Sequence, residues 1–221
     1  MYDYKELCSK IVILVVLQSM VHYYPDLKKY NNETRFNYYR SLMCIVFTCL
    51  GLHVAVHHFK NGFSHPFSFH HNDMNEIHYI FMAYLIIDML KLAANKSNRP
   101  DLYIHHLLCI GTIILALNIG KFGYLHCIVL ICEAISIVTG VDSMAMEEND
   151  DYLSYKCKVF RKKVINYIRL PMWIALLIFT LKYTNRAPTP IWYNAIITSI
   201  GMIILDKYWE RKCDKVISKY E

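Results

Sequence analysis

Apolar residues run through this chain in long unbroken blocks, not in alternation with polar ones. The blocks cover residues 7–24, 39–58, 77–95, 102–120, 123–141, 164–184 and 190–206. A membrane-spanning helix needs roughly 20 mostly apolar residues, and these blocks have that length. A membrane β-barrel would instead show alternating segments of about ten residues. The pattern predicts an all-α, multi-pass integral membrane bundle with about seven transmembrane helices. No small-residue cleavage site follows Ile11–Leu17, so the first block reads as an anchor rather than a removed signal peptide. Lys121 and Phe122 alone separate the fourth and fifth blocks, which predicts a tight hairpin.

The blocks nearly use up the 221 residues, leaving no room for a soluble catalytic domain. The division this predicts is an N-terminal anchor helix and basic loop over 1–36, a six-helix membrane domain over 37–206, and a basic tail over 207–221. Composition agrees: 55% of residues are hydrophobic, with only 7 Gly and 6 Pro. The 8 cysteines are scattered, mostly inside apolar blocks. They read as reduced core residues, not as a disulfide framework or a metal site.

The net charge of +6 would suggest nucleic acid in a soluble protein. Here the basic residues flank apolar blocks, so they report membrane orientation and no nucleic-acid partner is expected. One side of the predicted topology carries six Lys and Arg: Lys5, Lys10, Lys60, Lys121, Lys182 and Arg186. The opposite side carries seventeen, and Arg169 inside a block completes the 24. The richer side is expected in the cytosol, with the N-terminus lumenal or exterior and the C-terminus cytosolic. Residues 142–163 run from acidic to basic and read as a solvated loop with a basic juxtamembrane end.

Ionisable side chains inside a span cost about 2.5–3.5 kcal/mol each on insertion scales, so each needs a partner or a purpose. The candidates are Asp88, His105, His106, Glu133 and Arg169, with Arg40 and Asp206 at block ends. In the predicted topology they share one layer, the cytosolic half. A structural network, through pairs such as Asp88–Arg169 or Glu133 with a histidine, would account for them. So would a polar cavity in which His105 or His106 acts as base or nucleophile, with a carboxylate fixing its tautomer.

The stretches Asp88–Met89–Leu90, Arg99–Pro100–Asp101, His105–His106, Glu133–Ala134–Ile135–Ser136 and Arg169–Leu170–Pro171, with Arg40–Ser41 upstream, together resemble the TLC (TRAM, Lag and CLN) family. The resemblance covers about residues 37–206. It implies a six-helix core around a membrane cavity, residence in the endoplasmic reticulum or another endomembrane, and a role with lipid. The family's ceramide synthases move an acyl chain from acyl-CoA to a sphingoid base. They depend on the His-His pair and on a later His-Asp-x-x-Asp. Asn118-x-x-Lys121-x-Gly123 echoes their Asn-x-x-Arg-x-Gly; the His-Asp-x-x-Asp is missing, and Glu133 lies in its region.

The resemblance implies catalytic roles for His105, His106 and Asp88, and supporting or substrate-binding roles for Glu133, Arg169, Arg40 and Ser136. Membrane lipid is the expected partner, acyl-CoA the co-substrate of an acyltransferase, and no metal or resident cofactor is called for. The alternative is a non-catalytic lipid-binding, trafficking or membrane-organising protein. A lower-ranked alternative is a di-iron hydroxylase or desaturase, from His53-x-x-x-His57–His58 with His65, His70, His71 and His78. Those histidines fall at the predicted outer side, most of a ~30 Å hydrocarbon core away from His105 and His106. A zinc site among them has no recognisable spacing. Receptor or transporter readings lack the paired broken helices of transporters, since Pro171 has no counterpart.

Overall fold

A computed structural model describes residues 3–60, 72–95, 98–119, 124–182 and 189–220. All regular structure in them is helical: α1 Tyr4–His22, α2 Asn32–Lys60, α3 Asn72–Ala94, α4 Pro100–Ile119, α5 Tyr124–Cys132, α6 Thr139–Glu147, α7 Asp151–Val164, α8 Leu170–Lys182 and α9 Thr189–Ile217. The expected tight hairpin at Lys121 and Phe122 lies outside the described residues, as do Arg186, His65, His70 and His71.

Among the described residues five stretches are long and apolar enough to cross a membrane, not seven. They are Asn32–His57, Met74–Ala94, Pro100–Ile119, His126–Glu147 and Asp151–Lys182. The first and last predicted spans are helices, but neither qualifies. Lys5, Glu6 and Lys10 crowd the start of α1, and α9 carries Asn194 and Asp206 before continuing through a charged stretch to Ile217.

A second correction concerns residues 142–163. They form the end of α6, a tight turn and α7 rather than a loop. Asn149 takes the left-handed conformation at φ 57°, which asparagine tolerates better than most residues. Asp150 then caps α7 by accepting the Leu153 N–H at 2.9 Å, the usual device for starting a helix. Asp142 is buried and accepts from Ser154 at 2.9 Å and from Lys158. A carboxylate so placed is a structural tie between α6 and α7, which explains why the acid-to-base run is folded.

Two backbone irregularities interrupt the spanning stretches. Glu133–Ser136 is a 3₁₀ turn between α5 and α6, and Ile165–Arg169 is a π turn between α7 and α8. The second has a local cause: Pro171 offers no N–H to the carbonyl of Tyr167, so the ladder must adjust just upstream. The first is stitched by α2. Ser41 Oγ accepts the Gly140 N–H at 2.6 Å and donates to the Ser136 carbonyl at 3.4 Å. Gly140 has no side chain because there is no room for one: a Cβ there would sit 2.6 Å from the Cα of Tyr38. The apolar core lies inside the bundle and includes Phe47, Phe81, Leu85, Ile113, Leu130 and Trp173.

Candidate active site

α3 packs against α4 and touches α2, while α4 packs against α9 and α9 against α8, so one end of these helices is shared. That shared end carries the buried charges. Asp88, on α3, is 1% exposed. Its Oδ1 accepts from Arg40 Nη2 at 2.5 Å and Nε at 3.2 Å, and its Oδ2 lies 2.6 Å from His106 Nε2. One carboxylate therefore joins α2, α3 and α4. Arg40 also donates to Asn37 Oδ1 at 3.2 Å.

His105, one residue before His106 on α4, turns to other partners because neighbours on a helix point about 100° apart. Its Nε2 is 3.4 Å from Glu133 Oε1, and its Nδ1 is 3.4 Å from Met202 Sδ. Its ring meets that of Trp209 edge-on at 5.7 Å. Glu133 sits on the 3₁₀ turn, and its other oxygen takes the Cys44 thiol at 3.6 Å. The histidine pair therefore has two carboxylates, Asp88 for His106 and Glu133 for His105.

Arg169 is fully buried, yet it does not pair with Asp88. Its Nε donates to Asp206 Oδ1 at 2.8 Å, and its Nη1 donates to the Cys132 carbonyl. The apolar pattern places Asp206 at the end of a block, but the side chain is 0% exposed and neutralises the π-turn arginine. The expected Glu133–histidine contact is present, and the Asp88–Arg169 pairing is replaced by Asp88–Arg40 and Arg169–Asp206. The signal for the second pair is the shared depth of Arg169 and Asp206, masked in the sequence because α9 continues well past the apolar block.

A cavity of about 830 Å³ is lined by Arg40, Asp88, His105, His106, Glu133 and Ser136 among others. Two atoms on its central side chains are buried without a hydrogen-bond partner: His106 Nδ1 and Glu133 Oε1. The approach of Glu133 Oε1 to His105 is close enough for an ion pair but does not meet hydrogen-bond geometry. With Nε2–H donated to Asp88, His106 Nδ1 keeps a lone pair. Ser136 contributes its carbonyl to Ser41. Arg169 does not line the cavity.

A second histidine contact, which no sequence pattern announces, lies toward the other end of α3. His78 Nε2 is 2.5 Å from His126 Nδ1, and both rings are buried. Neither lines the cavity. Among the described residues no group of three or more His, Cys, Asp or Glu side chains is arranged to hold a metal ion. Comparison of the chain with family models, with curated proteins and with solved structures returns no match.

Proposed function

We propose that this chain is a TLC-like, multi-pass membrane protein of the endomembrane system that binds or modifies lipid in a cavity open to the cytosol. The reaction we assign is acyl transfer of the ceramide-synthase type. One observation carries the reading: His106 is fixed by Asp88 at 2.6 Å through one nitrogen, while its other nitrogen is buried, unpartnered and on a lining residue. Carboxylate, imidazole and open lone pair in sequence make a general base.

In the proposed step the acceptor's O–H or N–H gives its proton to His106 Nδ1. The acceptor oxygen or nitrogen then bonds to the carbonyl carbon of an acyl thioester, the class to which acyl-CoA belongs. The carbon–sulfur bond breaks, and the leaving thiolate takes the proton from His106. Asp88 holds the tautomer and stabilises the transient imidazolium, with Arg40 as its standing countercharge. Where the acceptor is an amine, its remaining N–H donates a hydrogen bond to Glu133 Oε1, which is buried without a hydrogen-bond partner. Irregular backbone at membrane depth is tolerated where it lines a cavity, and the 3₁₀ turn that carries Glu133 meets that condition.

A second reading keeps the lipid and drops the chemistry. The Arg40–Asp88 and Arg169–Asp206 pairs neutralise three buried charges and a half-buried one and lock helices together without any substrate. Lipid analysis of cells expressing wild type, His106→Ala and His105→Ala separates the two. The catalytic reading expects His106→Ala to lose product about 10²–10⁴-fold, the worth of a general base, with unchanged protein abundance. Equal lipid changes in wild type and His106→Ala would falsify it and leave binding alone.

A further inference from the structure

We infer that the mouth of this cavity is built to hold a phosphate group carried by the cavity's ligand. The inference rests on reading the cavity as a ligand site. It concerns the five cations around the opening, which the acyl-transfer step does not use.

On the α7 wall Lys158 and Arg161 share a single carboxylate, Asp142, with Arg161 Nη1 at 3.3 Å. The Arg161 Nε is buried and has no hydrogen-bond partner. Arg99, just before α4, and Lys212, on α9, also share a single carboxylate, Asp101, at 2.8 and 3.8 Å, and both line the cavity. Two cations on one acid leave one positive charge over in each group. Lys91, on α3, adds a third: among the described residues no carboxylate pairs with it, and its ammonium stands 5.7 Å from the centre of the Phe36 ring.

Two acids at the opening oppose these charges, Glu33 and Glu147. Both are bound up with the start of α2. Glu33 is in its first turn, and Glu147 accepts the Asn31 N–H at 2.9 Å. The positive end of the helix dipole, worth about half a charge, offsets part of that acidity. Three residual cations against two partly offset acids leave the opening net positive, with the cations supplied by different helices.

Basic residues beside a membrane ordinarily follow from topology alone. These differ in where they point. Lys158 and Arg161 side chains are only 16% and 21% exposed, and they border the cavity. A compact tetrahedral anion with several acceptor oxygens suits such a ring, since charge-assisted bonds from arginine and lysine are the strong ones. Deeper in, His106 Nδ1 and Glu133 Oε1 call for a hydrogen-bond donor. A ligand matching both ends has a phosphate at the mouth and a free hydroxyl or amine inside. A single-chain phospholipid has that form. The phosphates of a coenzyme thioester are the other source of the same chemistry.

The test uses the full chain in nanodiscs of neutral phosphatidylcholine. Two matched pairs of probes are titrated: lysophosphatidic acid against the monoacylglycerol of the same chain, and coenzyme A against phosphate-free pantetheine. At least one phosphorylated probe is expected to bind about ten-fold more tightly than its neutral partner, a preference weakened by salt. The winning pair names the source. Lys91→Gln, which breaks no ion pair, should remove most of the preference and leave the neutral probe unaffected. Arg161→Lys, which keeps the charge on Asp142, should remove less. Equal binding within both pairs, or a preference indifferent to Lys91→Gln, overturns the inference. In that event a neutral probe that still binds leaves the lipid-cavity reading intact.

Discussion

The two buried histidine contacts on α3 solve the same problem in opposite ways. His78 meets a second imidazole, His126, at 2.5 Å. Asp88, ten residues and about 15 Å further along the same helix, meets an imidazole and a guanidinium together. The first arrangement can be made from neutral groups and lies away from the cavity. The second places formal charge in the interior and opens on a space. A neutral pair needs only its hydrogen bond, whereas a buried charge needs a countercharge. Imidazole burial by itself therefore marks no site in this bundle; the carboxylate, its cation and the adjoining cavity do.

The largest break between the two regions is expected from removing the acid. Asp88→Ala strips the half-buried Arg40 of its countercharge, and breaking a buried ion pair costs about 3–5 kcal/mol. His126→Ala removes one hydrogen bond between neutral rings, a loss of about 1–3 kcal/mol. Unfolding of the two purified variants in detergent measures both. A smaller effect for Asp88→Ala than for His126→Ala would mean that Arg40 finds solvent and that the charged contact is no more costly to break than the neutral one.

Much of the charged end is legible in the chain because depth along a helix is countable. Asp88, His105, His106 and Glu133 share a depth when each span is walked from its ends, and the structure joins them in pairs. What counting does not give is azimuth. Whether Asp88 faces Arg40 or Arg169 depends on how α2 and α8 sit around α3, and no periodicity in uniformly apolar helices reports that. The π turn before Pro171 shifts Arg169 further, toward Asp206. Residues 142–163 mislead for a related reason. Their charges suggest solvent, yet Asp142 is buried against Lys158 and Arg161, a pairing that only the folded α6–α7 turn creates. Apolar length overstates the span number at α1 and α9 because terminal helices pack against the bundle while carrying more polar residues than an isolated span tolerates.

Backbone packing separates the two regions as well, by a smaller margin. The site end depends on close approach of α2 to the break before α6, where Gly140 meets Tyr38 and donates to Ser41. Gly140→Ala forces a methyl onto main-chain atoms, and overpacking of this kind costs about 1–3 kcal/mol. It should also displace Glu133, so the lipid change produced by wild type should fall with it. Gly111, in α4, faces open space, with nothing within 4 Å of where a Cβ would stand. Gly111→Ala should be neutral or stabilising by up to about 1 kcal/mol, as for any helix-interior glycine. Melting of the two variants side by side decides it, and equal melting points would remove the close approach from the account.

The smallest effect lies outside the spans, where charge meets water instead of protein. Lys29 Nζ and Tyr30 OH both donate to Glu148 Oε1 at 2.6 Å, tying the segment before α2 to the end of α6. These two donors hold the Glu148 carboxyl below the ordinary carboxylate range. A carboxyl lowered on folding contributes stability above its unfolded pKa and loses it as pH falls through the folded value. The tie should therefore be intact at neutral pH and weaken only in acid. Because the pair is exposed, salt should weaken it at neutral pH as well. The check is the carboxyl carbon resonance of Glu148 followed against pH. Its midpoint should lie below that of a free glutamate, and Lys29→Met should move it upward. An unmoved midpoint would leave Tyr30 as the sole effective donor to Glu148, while the Asp88–Arg40 pair, largely buried at the cavity wall, should respond to salt much less than the exposed Glu148 pair does.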